Sequence, residues 1–277
     1  MFAVPELPEV ENVRRTLALR IVNRPICAVE IRRASVIHGP HTPRALLADS
    51  AVARVERHGK QLALIGPSGQ PCLGIHLGMT GSLRHTSSIA QQDQHVHVAW
   101  RLDDGSWMIF RDPRRFGGIW AFPSFQALQA GRWAKLGPDA LSITPADLHR
   151  RLQRTRQAIK AALLDQHLLA GLGNIYADEL LFACRLWPLT PACRLSLAQT
   201  QQLVRAMRRL LARAIRAGGS TLRDYVNAQG QPGGFQLQHR VYNRAGQPCT
   251  ICKGPLTRLT LAGRTTVCCP RCQPNSR

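Results

Sequence analysis

The chain has 277 residues, with 37 Lys+Arg against 16 Asp+Glu and a formal net charge of +21. Its 44% hydrophobic content excludes a disordered basic tail, and no run reaches the roughly 18 apolar residues of a membrane helix. Such an excess of cations on a folded protein points to a polyanionic partner, nucleic acid first. An anionic membrane surface fits less well, because the basic residues are spread along the chain rather than gathered on one amphipathic helix.

The chain opens "MFAVPELPEVENVRRTL". Pro8 suits the first turn of a helix, where Glu9 and Glu11 meet the positive end of the helix dipole and act as capping acids. Val10, Val13, Leu17 and Ile21 then recur at three- and four-residue spacing and give that helix one apolar face. From about residue 26 to 122 the signal turns to strands. "HVHVAWRL" alternates Val96, Val98, Trp100 and Leu102 with His97, Ala99 and Arg101, Asp103-Asp104-Gly105 supplies a turn, and "SWMIF" returns. Several such runs with few helical patterns between them predict an antiparallel sandwich or barrel.

After a stretch holding Gly and Pro near 131–145, the period becomes helical. Thr144 is the expected N-cap, followed by Pro145 and Asp147. "LHRRLQRTRQAIK" strings Arg150, Arg151, Arg154, Arg156 and Lys160 along this predicted helix, either as a solvated face or as phosphate contacts. Helical patterns run on to about residue 217, and the Gly-rich "NAQGQPGGFQ" leads to a last short β-like segment.

Nine cysteines divide into two groups. Cys27, Cys72, Cys184 and Cys193 stand singly in apolar surroundings, as small buried residues do. The other five crowd the C-terminus. Without an apolar export signal at the N-terminus, this pattern points to a reducing cytoplasm and a metal site rather than a disulfide framework. Cys249-x2-Cys252 and Cys269-x2-Cys272, separated by sixteen residues, offer four thiolates to one structural zinc with no open position. Cys268 is expected to pack, and Gly263-Arg264 to form an exposed hairpin tip.

These phrases, read in order, resemble formamidopyrimidine-DNA glycosylase, a bacterial base-excision repair family. The resemblance rests on "PELPEVE" at 5–11, "HGK" at 58–60, "HLGMTGSL" at 76–83, "RDPRRFG" at 111–117, "GLGNIYADELLF" at 171–182, "STLRDYV" at 220–226 and the finger with its "GR" tip. It implies an α+β multidomain fold: an N-terminal helix with an antiparallel β-sandwich (1–130), a helical helix-two-turn-helix domain (131–240) and a C-terminal zinc finger (241–277).

The same resemblance implies a monomeric, cytoplasmic DNA glycosylase and AP lyase that acts on oxidised purines in damaged duplex DNA. Pro5 would attack C1′ of the lesion nucleotide and form a Schiff base, with Glu6 as acid and base at the sugar. Lys60 would meet phosphate and assist β-elimination, and Arg264 would meet phosphates and assist δ-elimination. Met79, Arg114 and Phe116 would fill the void left by the flipped nucleotide, with His95 and Asn174 as further DNA contacts. Thr155 departs from the lysine usual in the basic helix, which passes its phosphate contact to Arg154 or Arg156. The four residues Met1–Val4 stand before Pro5, whose nitrogen is then an amide, so the expected working N-terminus is Pro5 itself. Val4 is a residue that a GTG codon can encode, and initiation there is the expected route to such an N-terminus. A catalytically silent lesion binder and an endonuclease VIII-like enzyme for oxidised pyrimidines are the other readings.

Overall fold

A computed structural model describes residues 4–89 and 93–275; of the residues ahead of Pro5, Met1–Ala3 lie outside them. The chain divides into two compact units, residues 1–135 with 217–234, and residues 136–216 with 235–277. This partition differs from the three consecutive segments read from the sequence. The stretch 217–234 folds back onto the N-terminal unit, and the finger groups with the helices.

In the first unit, α1 (Leu7–Ile21) buries Val10, Val13, Leu17 and Ile21, the face its periodicity marks out. Ten strands follow: β1 (Pro25–Ile31), β2 (Ile37–His38), β3 (Ser50–Ala51), β4 (Arg54–His58), β5 (Gln61–Ile65), β6 (Cys72–His76), β7 (Ser82–Thr86), β8 (Val96–Leu102), β9 (Trp107–Arg111) and β10 (Gly118–Phe122). They form two five-stranded sheets, ordered β3-β1-β8-β9-β7 and β2-β10-β6-β5-β4. All named pairings are antiparallel except the short β2–β10 contact. Leu62, Leu64, Leu73 and Ile75 from one sheet join Val98, Trp100, Leu102 and Phe110 from the other, with α1, in one apolar core. The expected β8–β9 hairpin forms, with Trp100 opposite Met108 and Gly105 at φ +81° in the turn. The alternate face of β8 is solvated only at Arg101: Ala99 is buried, and His97 is buried with its Nε2 at 2.8 Å from the Asp112 carbonyl. Cys27, expected to be buried, is exposed beside a register shift in β1. After β10, α2 (Phe125–Gly131) packs Leu128 close to Gly74, where a Cβ would come within 2.9 Å of the Leu128 side chain.

The second unit holds α3 (Pro145–Leu152), α4 (Ile159–Leu164), α5 (Asn174–Ala183), α6 (Leu197–Arg216) and the hairpin β11 (Thr257–Leu261) and β12 (Arg264–Cys268). Thr144 caps α3 by accepting from the Asp147 N–H at 3.1 Å. The helix predicted to run through Lys160 stops at Leu152. Thr155 Oγ1 takes the Gln157 N–H at 3.2 Å, a local bond that competes with helix, and Ile159 N–H turns away to the Thr190 carbonyl. Arg154 and Arg156 therefore lie exposed in a connecting loop. Lys160 begins a new helix and is fully buried, with Nζ at 2.6 Å from Asp178 Oδ1 and 2.7 Å from Thr266 Oγ1. Neither a solvated face nor a phosphate contact describes it. No helix among the described residues is long and apolar enough to cross a membrane.

Candidate active site and nucleic-acid interface

Pro5 and Glu6 are buried at the start of α1, with Glu6 as its N-cap. The Glu6 N–H donates to Glu9 Oε2 at 2.9 Å, closing the first turn as a capping box does. The other oxygen of Glu9 accepts the Ser220 N–H at 2.7 Å, and its carbonyl accepts from the Tyr225 hydroxyl at 3.1 Å. Glu9 is thus more than a capping acid, because one carboxylate joins the Glu6 backbone to the "STLRDYV" segment. Gly219, at φ +82°, lets the segment come this close, since a Cβ there would lie 2.9 Å from Glu9 Oε1.

Glu11 is also buried rather than capping. It accepts from Arg14 and Arg15 on its own helix and from Arg57 Nε of β4 at 3.1 Å. Burial pushes its carboxyl up, and the arginines outweigh burial and hold it down near 2. Arg57 in turn donates through Nη1 to the Gly59 carbonyl at 2.9 Å. Gly59 adopts φ +57° in the tight β4–β5 turn, and the next residue is the half-buried Lys60. Sequence reading missed this chain from Glu11 through Arg57 to the Lys60 turn. Its only signal was a third glutamate in an opening phrase where two suffice for the helix start.

Met79, Arg114 and Phe116 come from two turns pressed together. A Cβ on Gly78 (φ +63°) would lie 2.3 Å from the Gly117 nitrogen, and one on Gly117 would lie 2.5 Å from the His76 carbonyl. The fully buried Asp112 organises both turns. Its Oδ1 accepts from Thr80 Oγ1 at 2.6 Å, its Oδ2 accepts the Gly117 N–H at 2.7 Å, and its own N–H donates to the His95 carbonyl at 3.0 Å. The Arg114 guanidinium sits 4.6 Å from the centre of the Phe116 ring, and that ring is 55% exposed. Phe116 is an aromatic held ready at the surface rather than a core residue. His95 is exposed in the turn just ahead of β8.

His76 stands between the Lys60 turn and this pair. Its Nδ1 accepts the Gly78 N–H at 3.0 Å. Burial, then the cations of Arg132 and Lys60, push it down to about 4 against the pull of Asp112. In the other unit, burial lowers His239 to about 4. A base with a depressed folded pKa stabilises fully above its unfolded value near 6.5 and loses that contribution as pH falls to about 4. Roughly 3 kcal/mol per histidine is at stake. Urea midpoints should fall between pH 6.5 and 4, and the His76→Gln/His239→Gln variant should lose most of that slope. Midpoints of the parent protein that stay flat across this window would contradict the assignment.

In the second unit, Gly171 (φ +118°) and Gly173 lead into α5, whose first residue is Asn174. The Gly171 N–H is already taken by Gln166 Oε1 at 3.0 Å. Asn174 Nδ2 donates to the Thr265 carbonyl at 2.9 Å, which sets it one residue from Arg264. Ala262 (φ +49°) and Gly263 (φ +68°) form the two-residue turn that leaves Arg264 exposed at the start of β12. Two carboxylates of α5 went unread in the sequence. Asp178 pairs with Lys160 and accepts the Val267 N–H at 3.0 Å, while Glu179 accepts the N–H groups of Arg240, Val241 and Tyr242. Two acids inside "NIYADELLFA" were the available signal.

The Sγ atoms of Cys249, Cys252, Cys269 and Cys272 all lie within 4.8 Å of one another, with Cys249 and Cys272 at 3.8 Å and Cys252 and Cys269 at 3.4 Å. Four sulfurs about 2.3 Å from a single ion stand about 3.8 Å apart in a tetrahedron, so these residues fit a metal. Cys268 is buried outside the cluster, its thiol pushed up to about 12 by burial.

The chain also has relatives. Residues 4–119 match the formamidopyrimidine-DNA glycosylase N-terminal domain, and residues 136–226 match the H2TH domain of the same proteins. A formamidopyrimidine-DNA glycosylase of Geobacillus kaustophilus is 40% identical over 98% of this chain and 100% of its own. The crystal structure of the MutM (Fpg) protein of Thermus thermophilus superposes with a TM-score of 0.85 at 38% identity, covering 99% of this chain and 100% of that one. Lactococcus lactis Fpg (MutM), solved with Fapy-dG-containing DNA, gives a TM-score of 0.88 at 30% identity over 98% and 100% of the two chains. Two matched domains in order and full-length likeness to these proteins place the chain in the formamidopyrimidine-DNA glycosylase family.

Proposed function

We propose that this protein is a bifunctional DNA glycosylase and AP lyase that excises 8-oxoguanine and formamidopyrimidines from duplex DNA. The observation that carries the reading is the Glu9 carboxylate, which ties the Pro5–Glu6 start of α1 to the "STLRDYV" segment at 220–226. The lone pair of a free Pro5 amine attacks C1′ as the glycosidic electrons leave with the base; the attached nitrogen then loses its proton, and its lone pair expels O4′, which takes a proton, to leave a ring-opened iminium linkage. Glu6 takes and returns protons at the sugar. Loss of the C2′ proton then expels the 3′ phosphate, with Lys60 at phosphate, and a second elimination with Arg264 expels the 5′ phosphate. Asn174, His95 and either Arg154 or Arg156 hold the DNA backbone. The metal of the four-cysteine cluster is zinc; it supplies structure and no chemistry, because all four positions belong to protein sulfurs. The protein works as a monomer in the bacterial cytoplasm. Borohydride capture on an 8-oxoguanine duplex tests the reading, with a covalent protein–DNA adduct as the expected result.

One observation favours a second reading, a lesion binder without catalysis: in the chain as written the nitrogen of Pro5 is an amide with Val4. A natively expressed chain that keeps Met1–Val4 and gives no adduct on damaged DNA would select it. Lesion class is tested separately. Arg114→Ala and Phe116→Ala should slow excision of 8-oxoguanine about 10- to 100-fold while cleavage of a preformed abasic site changes little, because an unpaired site costs less to open. Equal losses on both substrates would make these residues general DNA contacts.

A further inference from the structure

Helix α6 carries five arginines and no acid in twenty residues. At about 100° per residue, Arg205, Arg209, Arg213 and Arg216 fall within an arc of about 80°. Leu203, Met207, Leu210 and Ala214 are buried on the opposite face. Two of the five are committed to the fold. Arg208 Nη2 donates to the Ile143 carbonyl at 2.7 Å, and Arg213 Nη2 donates to Gln238 Oε1 at 3.0 Å. Arg205, Arg209 and Arg216 are exposed, and no hydrogen bond or ion pair holds them among the described residues.

An ordinary solvated helix face mixes signs, as α3 does where Asp147 pairs with both Arg150 and Arg151. On α6, Arg205 and Arg209 are like charges one turn apart, an arrangement that weakens a helix unless a polyanion neutralises it. The ridge is also separate from the Asn174–Arg264 pair. Asn174 opens α5 and Cys184 closes it, about 15 Å away, and Arg209 lies near enough to Cys184 for its charge to act on that thiol. From Arg205 to Arg216 is about 16 Å, over which one strand of B-DNA presents about five phosphates.

We propose that Arg205, Arg209 and Arg216 form a second phosphate-backbone contact, one that grips duplex DNA away from the nucleotide being excised. The proposal rests on DNA being the substrate. Charge complementarity selects the occupant: three unpaired guanidiniums in a row, on a chain of net charge +21, match a regular line of phosphates. The contact would add affinity for flanking or undamaged duplex without taking part in the excision chemistry.

The test compares the full-length protein with its Arg205→Gln/Arg209→Gln/Arg216→Gln variant, with circular dichroism melts confirming that both are folded. Affinity for a 40-bp undamaged duplex should drop about tenfold in the variant. The slope of log K against log salt should become shallower by about 2.7, the counterion release of three phosphate contacts. Single-turnover excision from a 12-bp lesion duplex should stay within about twofold. Unchanged affinity and slope would make the ridge a solvated face, and an equal loss of excision would make it part of the lesion interface; either overturns the proposal. Loss of affinity for a 40-bp RNA duplex with DNA binding intact would also overturn it. A parent protein that fails to bind the lesion duplex at all would remove the DNA reading itself.

Discussion

A chain beginning at Pro5 is expected to give a borohydride-stable adduct with 8-oxoguanine DNA, and a chain that keeps residues 1–4 is expected to give none. The difference should be on the order of 10³-fold or more, the scale lost when the nucleophile of a covalent mechanism is removed. The reason is electronic. Between Val4 and Pro5 the nitrogen lone pair is delocalised into the carbonyl and cannot attack carbon, whereas a terminal proline offers a secondary amine. Geometry adds to this. Pro5 and Glu6 are buried at the capped start of α1, and Val4 is bonded directly to the Pro5 nitrogen there. Intact-mass measurement identifies each chain before the assay. An adduct formed equally by both would show that some other amine does the chemistry, and Lys60 would be the first to replace.

The second large effect is expected at the metal. Cys249→Ser, or removal of the metal by a strong chelator, should unfold the finger and weaken DNA binding by at least tenfold, while the β-sandwich keeps its cooperative transition. Structural zinc contributes about 10–16 kcal/mol in small finger peptides, which no rearrangement of a hairpin this short offsets. The sandwich should survive because its core is drawn from α1 and the two sheets and includes no finger residue. Elemental analysis and near-UV circular dichroism read the two outcomes separately. Protein purified with no metal yet fully able to bind DNA would contradict the assignment.

Much of the architecture could be read directly from the sequence. The inner face of α1 followed from apolar spacing, the β8–β9 hairpin from alternation and its Asp-Asp-Gly turn, and the thiolate cluster from two short Cys-x2-Cys pairs. In each case the signal and its structural consequence lie within about 25 residues. What failed depended on distant partners. Glu11 reads as a capping acid until Arg57 arrives from 46 residues away, and Lys160 reads as one more basic residue until Asp178 and Thr266 bury it. The break after Leu152 was equally hidden, because the pairing of Ile159 with Thr190 that follows it is tertiary. At the site, Pro5 and Glu6 could be picked out only as part of a known phrase. Asp112 and His76, which hold the turns of Met79 and Phe116, carried no local mark of their role.

The way α5 holds the C-terminal hairpin has a consequence for modularity. Phe182 fills the same small core as Val241, Leu256 and Val267, and Glu179 receives three successive N–H groups from the turn that leads into the finger. Excising residues after 240 would therefore leave behind a bare aromatic ring and a carboxylate stripped of two of its three backbone donors, and the excised piece would lack part of its own interior. This finger is not a cassette. Grafting it onto another scaffold, or shuffling it between relatives, should succeed only when α5 travels with it, together with the Lys160 that pairs with Asp178 and Thr266.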